Sequence, residues 1–142
     1  MKSYFSDWVE HSGMATVKEL RKLVSDHRND DMPELSLLEL PRFDDGVFTQ
    51  KLSDDFKIPH MDLQNAQVSI DTMSLLRKSK IIEYRCIPIQ NTSSKVTLAI
   101  FDPKAVEFKN DVVKELQKPV QYILTNITSW KKLFSSVRES VD

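Results

Sequence analysis

Apolar residues recur at helical spacing through the first half of the chain and in short continuous or alternating runs through the second. Val17, Leu20, Leu23 and Val24 share one face, opposite Lys18, Arg21, Lys22 and Ser25. This spacing predicts an amphipathic helix of about four turns. Thr16 and Glu19 stand at the Thr-x-x-Glu spacing in which a hydroxyl and a carboxylate satisfy the first orphan amides of a helix. The polar run His27 to Asp31 should end it, with Pro33 admitting a second segment, Glu34 to Leu40, that Pro41 closes. A further helix should begin at Asp44 or Asp45, bury Val47, Phe48, Leu52 and Phe56, and stop before Pro59.

Shifting this region by 28 residues aligns Val9 with Leu37, Thr16 with Asp44, Leu20 with Phe48, and Val24 with Leu52. Cap residues and apolar anchors coincide, which suggests a repeated helical hairpin.

The period then changes. After a helix expected over Asp71 to Ile82, the runs Cys86 to Ile89 and Val96 to Phe101 read as strands of a hairpin around the turn Gln90 to Lys95. Asp102-Pro103 pairs an N-cap with proline at the first helical position, opening a helix whose Val106, Val112, Val113 and Leu116 can face a sheet. Val120 to Leu124 follows Pro119 as a third strand, and Ile127, Trp130, Leu133, Phe134 and Val137 line a final helix. The expected fold class is α+β. A helical-repeat lobe over residues 1–60 leads through Met61 to Gln64 into a small α-β-β-α-β-α lobe over 66–142.

Composition narrows the chemistry. The 142 residues carry 20 Lys+Arg against 21 Asp+Glu, a formal charge of −1, which argues against a nucleic-acid binder with a basic face. Arg77, Lys78, Lys80 and Arg85 read as a solvated helix face. Only two glycines occur, Gly13 and Gly46, so no dinucleotide fingerprint or Walker A loop can be present. The single cysteine, Cys86, falls in an expected strand and reads as a buried structural thiol suited to a reducing compartment. No apolar leader core or membrane-spanning run is found, so a cytoplasmic protein is expected.

No catalytic constellation emerges. His11, His27 and His60 show no metal-ligand spacing. The pairs Asp30-Asp31, Asp44-Asp45 and Asp54-Asp55 read as loop solubility, helix N-terminal charge and a solvated face. Trp8 and Trp130 read as core. Tyr4, Phe5, Trp8 and Val9 form an apolar set on a very short first helix, a candidate docking surface, and the acidic side of the Gly46 to Phe56 helix is a second candidate.

Three local motifs carry a family resemblance. They are Phe56-Lys57-Ile58-Pro59-His60-Met61-Asp62-Leu63, Tyr84-Arg85-Cys86-Ile87-Pro88-Ile89, and Ala99-Ile100-Phe101-Asp102-Pro103. In this order and spacing the chain resembles the N-terminal domain of type II secretion and type IV pilus assembly ATPases, the GspE-type or MshEN-like domain. The ATPase body of that family has no counterpart here, so the chain reads as an excised domain or a free-standing relative.

Some family members bind cyclic di-GMP through a tandem motif that begins Arg-Leu-Gly, reaches a second glycine seven residues on and ends in glutamine. The counterparts here are Tyr4-Phe5-Ser6, Gly13 and His27 in the first copy, and Met32-Pro33-Glu34, Pro41 and Asp55 in the second. Both arginines, both glutamines and three of the four glycines are absent. The ligand would lose its guanidinium partners and meet Glu34 and Asp55 instead, so binding is not expected.

What the resemblance implies is a non-catalytic protein-interaction or regulatory domain with no cofactor or metal. It would dock on the cytoplasmic domain of an inner-membrane platform protein (GspL type), or on another secretion or pilus component, and be recruited to the inner membrane only through that partner. By that analogy Tyr4, Phe5, Trp8 and Leu20 are the expected apolar contacts, with Arg21 and Lys22 as rim charges. The competing expectation is a sensor for cyclic di-GMP or another nucleotide.

Overall fold

In a computed structural model of the chain, residues 13–137 are described. Contacts divide the chain into two units, 1–48 and 49–142, with the boundary inside a helix rather than at the link 61–64.

In the first unit, α1 spans Val17–Asp26. The expected capping box is present: Glu19 N–H donates to Thr16 Oγ1 at 3.1 Å and Thr16 N–H to Glu19 Oε1 at 3.0 Å. The helix has 10 residues, about three turns rather than four. It ends because His27 leaves helical geometry while its N–H still donates to Leu23 O. Leu20 and Leu23 are buried, whereas Val17 is 41% exposed, so the apolar stripe is narrower than the sequence pattern suggests. A 3-10 segment, Pro33–Glu39, follows with proline in its first turn and Leu37 fully buried.

Helix α2, Asp45–Phe56, carries the unit boundary. Asp44 Oδ1 accepts from Val47 N at 3.0 Å, the same third-amide cap that Thr16 gives α1. The first intrahelical bonds also correspond, Leu20 N to Thr16 O and Phe48 N to Asp44 O. The 28-residue offset therefore matches caps and anchors in the described part; Val9 lies outside it. Phe48 and Leu52 are fully buried, but Val47 and Phe56 are 53% and 41% exposed, contrary to expectation. Val47 is one residue from Phe48, about 100° around the helix, and Phe56 is its last residue.

In the second unit, the helix expected over 71–82 is two pieces, α3 (Ile70–Met73) and α4 (Lys78–Tyr84). Ser69 Oγ accepts from Thr72 N and contacts Thr72 Oγ1, and Ser74 N–H turns back to Ile70 and Thr72 carbonyls. These hydroxyl residues supply the local alternatives that compete with a continuous helix. Met73, Leu76, Ile81 and Tyr84 are buried across the break.

Strand β1 (Ile87–Asn91) pairs antiparallel with β2 (Val96–Ile100), with a register shift between Pro88 and Gln90. Cys86 lies just ahead of β1 rather than within a strand. Pro88, which cannot donate to a ladder, sits on this edge strand. Asp102 Oδ1 caps the next turn by accepting from Lys104 N at 3.0 Å, but the turn is a 3-10 helix, Pro103–Phe108, before α5 (Lys109–Leu116). Of the four residues expected to face the sheet from this stretch, Val112 is buried and Val106, Val113 and Leu116 are half-buried.

Strand β3 (Val120–Leu124) lies parallel to β2, giving the order β1-β2-β3. The link adds to it: Leu124 N donates to Pro59 O and Met61 N to Leu124 O, both at 2.8 Å. Helix α6 (Ile127–Ser135), capped by Asn126, buries Trp130, whose Nε1 donates to Ala99 O of β2 at 2.9 Å. Trp130 also meets Phe101 edge-on at 4.8 Å between centroids. Together these elements make an α+β fold.

Candidate functional site

The candidate docking residues fall into three groups. Tyr4, Phe5 and Trp8 lie outside the described residues. Leu20 is only 6% exposed, because it occupies the inward face of α1 beside Leu23; as placed, it is a core residue and not a surface contact. Arg21 and Lys22 are exposed on the same helix.

Lys22 borders a cleft of about 290 Å³ within the first unit, lined also by Glu19, Leu23, Asp26, Glu39 and Leu40. Its floor is apolar and its rim mainly carboxylate. Arg42 reaches the start of α1, pairing with Glu19 at 2.7 Å and donating through Nε to Gly13 O at 3.4 Å. Glu19 has its pKa lowered, most by the Thr16 amide and further by the Arg42 charge, with burial opposing more strongly than the Arg42 charge alone. At the other end of α1, His27 lies between Asp30 at 2.7 Å and Glu39 at 2.9 Å. Neither Arg42 nor Glu39 stands out in the sequence. Their partners lie 23 and 12 residues away, beyond any helical or turn spacing; Asp30, three residues from His27, is the one available local signal.

The counterparts of the nucleotide motif have other occupations. Gly13 has φ +80°, the left-handed conformation that favours glycine. His27 is engaged by two carboxylates, and Met32 is buried. Pro33 and Pro41 offer no N–H. In the second unit, Asp55 pairs with Lys51 at 3.2 Å.

Cys86 is fully buried, and burial pushes its thiol up to about 12, so the nucleophilic thiolate is not formed at neutral pH. A second cleft of about 290 Å³ lies within the second unit, between residues 63–73 and α6, with Leu63, Val68, Ile70 and Met73 in its lining and Lys132 donating to Gln64 O at its side. Among the described residues, no three His, Cys, Asp or Glu side chains group as a metal site, and no helix is long and apolar enough to cross a membrane.

The family model of the MshEN domain matches residues 56–140, more than half of the chain. The chain belongs to the MshEN domain family. All three motifs that carried the resemblance fall inside that span. Among solved structures, the MshEN fold seen here is similar to MshE with cdg, at a TM-score of 0.59 and 16% identity, covering 96% of this chain and 100% of that one. It is also similar to the N-terminal domain of XpsE in two crystal forms. One gives a TM-score of 0.56 at 11% identity with 97% and 99% coverage, the other 0.57 at 14% with 93% and 92%. At these identities the likeness is one of fold. No curated protein matches the chain.

Proposed function

We propose that this MshEN domain is a non-catalytic interaction module of a type II secretion or type IV pilus assembly ATPase, or a free-standing relative. It docks on the cytoplasmic domain of an inner-membrane platform protein and works in the cytoplasm, reaching the membrane through that partner. The observation that carries this reading is the family match over 56–140 together with a shared fold across nearly the whole chain with the N-terminal domain of XpsE. Tyr4, Phe5 and Trp8 remain the proposed apolar contacts and Arg21 and Lys22 the proposed rim; Leu20 is withdrawn because it is buried. Mass photometry against platform cytoplasmic domains tests the reading. A complex is expected, weakened by Trp8→Ala and by Arg21→Glu with Lys22→Glu; no complex with any platform domain would overturn it, and an unchanged complex would remove the residue assignment.

A second reading is nucleotide sensing, favoured by the likeness to MshE solved with cyclic di-GMP and by the left-handed Gly13. Against it, the two proline positions withhold amide donors, Met32 is buried where the motif has arginine, and the cleft rim carries Glu19, Asp26 and Glu39. A dianionic ligand meets like charge there and no guanidinium held for it. Calorimetry with cyclic di-GMP should give no heat of binding, and micromolar affinity would replace the docking-only reading with a sensor.

A further inference from the structure

His27 closes α1 and stands between two carboxylates of different reach. Nδ1 lies 2.7 Å from Asp30 Oδ2, within the same turn, and Nε2 lies 2.9 Å from Glu39 Oε2, at the end of the Pro33–Glu39 segment. Ionised carboxylates only accept, so both contacts are hydrogen bonds only when each ring nitrogen carries a proton. A neutral imidazole has one N–H. It keeps one carboxylate and turns a lone pair toward the other. The contact to Glu39 is the longer and crosses to another segment, whereas Asp30 is held in the same turn by its N–H donating to His27 O at 3.0 Å.

We infer that His27 is a proton-operated clasp: as imidazolium it ties the C-terminal end of α1 to the 3-10 segment, and loss of one proton releases Glu39 while the Asp30 turn persists. Because Glu39 also lines the cleft beside α1, releasing it loosens one wall of that cleft. Independently of any partner, the helical unit thereby acquires a pH-dependent opening.

The surroundings favour the charged ring. On α1, Glu19, Lys22 and Asp26 border the same cleft; Arg28 and Asp31 flank the turn, Glu34 stands on the 3-10 segment, and Arg42 is held by Glu19. The carbonyl end of α1 adds negative potential. The imidazole pKa is raised above 6.5, most by the hydrogen bond to Asp30, then by that to Glu39 and by both charges, with burial opposing. A raised folded pKa fixes the sign. The clasp is complete below pH 6.5 and is lost as pH rises through the folded value.

Ring-proton NMR titration of the full chain tests this. The expected His27 midpoint lies above that of the same histidine in urea-unfolded protein, and the Leu40 amide shift follows the same curve. Glu39→Gln should lower the midpoint and flatten the Leu40 curve, and His27→Gln should abolish that curve. A folded midpoint at or below the unfolded one overturns the clasp, as does a midpoint unchanged by Glu39→Gln; neither result needs the His27 variant to fold.

Discussion

The two units of this domain both bury an apolar core but differ in what accompanies it. In the α/β unit every residue of β2 is buried, and Trp130, Phe101, Ile81 and Leu98 are at most 1% exposed. In the helical unit, Leu20, Leu23, Leu37, Leu40 and Phe48 are buried, and among the described residues separate segments are also joined by polar contacts: the Arg42–Glu19 pair, the Arg42 bond to Gly13 and the His27–Glu39 contact. Its described apolar interior includes Leu37 and Phe48, with the Phe43 and Phe48 rings 5.1 Å apart. Charge follows the same division. Residues 1–48 have 6 Lys+Arg against 10 Asp+Glu, formally −4, and residues 49–142 have 14 against 11, formally +3. A near-neutral total therefore conceals two halves of opposite sign. The lesson is that the family match is carried by the α/β unit, since the matched span begins at Phe56, whereas the departures from the nucleotide motif gather mainly in the helical unit, where ion pairs accompany the core. Exposed pairs each contribute only about 0–1 kcal/mol, so the helical unit can change its surface chemistry at small cost to its fold.

The largest expected effect lies in the α/β unit. Trp130→Ala removes a fully buried indole, its hydrogen bond to Ala99 O, the edge contact with Phe101 and the stack on Phe134 at 5.5 Å. Truncations of this kind cost about 3–5 kcal/mol, a large part of a stability on the order of 5–15 kcal/mol. Urea unfolding followed by circular dichroism should show a loss of this size. Trp130→Phe keeps a ring and should lose less. If Trp130→Ala cost no more than removing a helix cap from the other unit, Trp130 would not be the anchor of the α/β core that its burial makes it.

Sequence patterning revealed most of the fold because its signals are local. The Thr16–Glu19 box, the Asp102-Pro103 turn, the mostly apolar run of β2 and the 3.6-residue stripe of α6 each act within one element, and each forms. What stayed hidden depends on partners far along the chain. The bonds of Pro59 and Met61 to Leu124 set an isolated parallel bridge beside β3, yet nothing in Pro59-His60-Met61 alternates. Helix ends were obscured for another reason. Lys57, Arg85 and Gln117 take the left-handed conformation after three helices, at φ 57°, 53° and 57°, where glycine is the common signal. At the candidate site, helical spacing placed Arg21 and Lys22 on the exposed side of α1 and Leu20 on its apolar face; the contact role for Leu20 came from the family analogy, and its burial overturns it. The His27–Glu39 and Arg42–Glu19 contacts depend on how separate segments meet, which spacing does not encode.

An intermediate effect tests the helical unit and its repeat together. Thr16 and Asp44 are aligned by the 28-residue offset, and each accepts a hydrogen bond from the amide three residues on. Thr16→Ala and Asp44→Ala should each cost about 1 kcal/mol. The expected pattern in amide hydrogen exchange is faster exchange in the first turn of α1 for one variant and of α2 for the other. Equal losses would support two copies of one capping device. A loss at Thr16 with none at Asp44 would reduce the repeat to its apolar anchors.

The smallest effects come from exchanging glycine into one unit and out of the other. Gln117 closes α5 in the left-handed region while its amide donates to Val113 O at 2.7 Å. Gln117→Gly keeps that bond and removes the Cβ strain, so it should stabilise the α/β unit by up to about 1 kcal/mol. Gly13→Ala does the reverse in the helical unit. At φ +80° the new Cβ meets no atom within 4 Å, so no clash contributes and the loss, about 1 kcal/mol, is the backbone preference alone. Thermal unfolding of the two variants against the parent reads both signs. A neutral Gly13→Ala would mean that this turn readily adopts another conformation. The Arg42 bond to Gly13 O would then not hold the left-handed backbone in place, and the one glycine that matches the tandem motif would lose its conformational reason for being there.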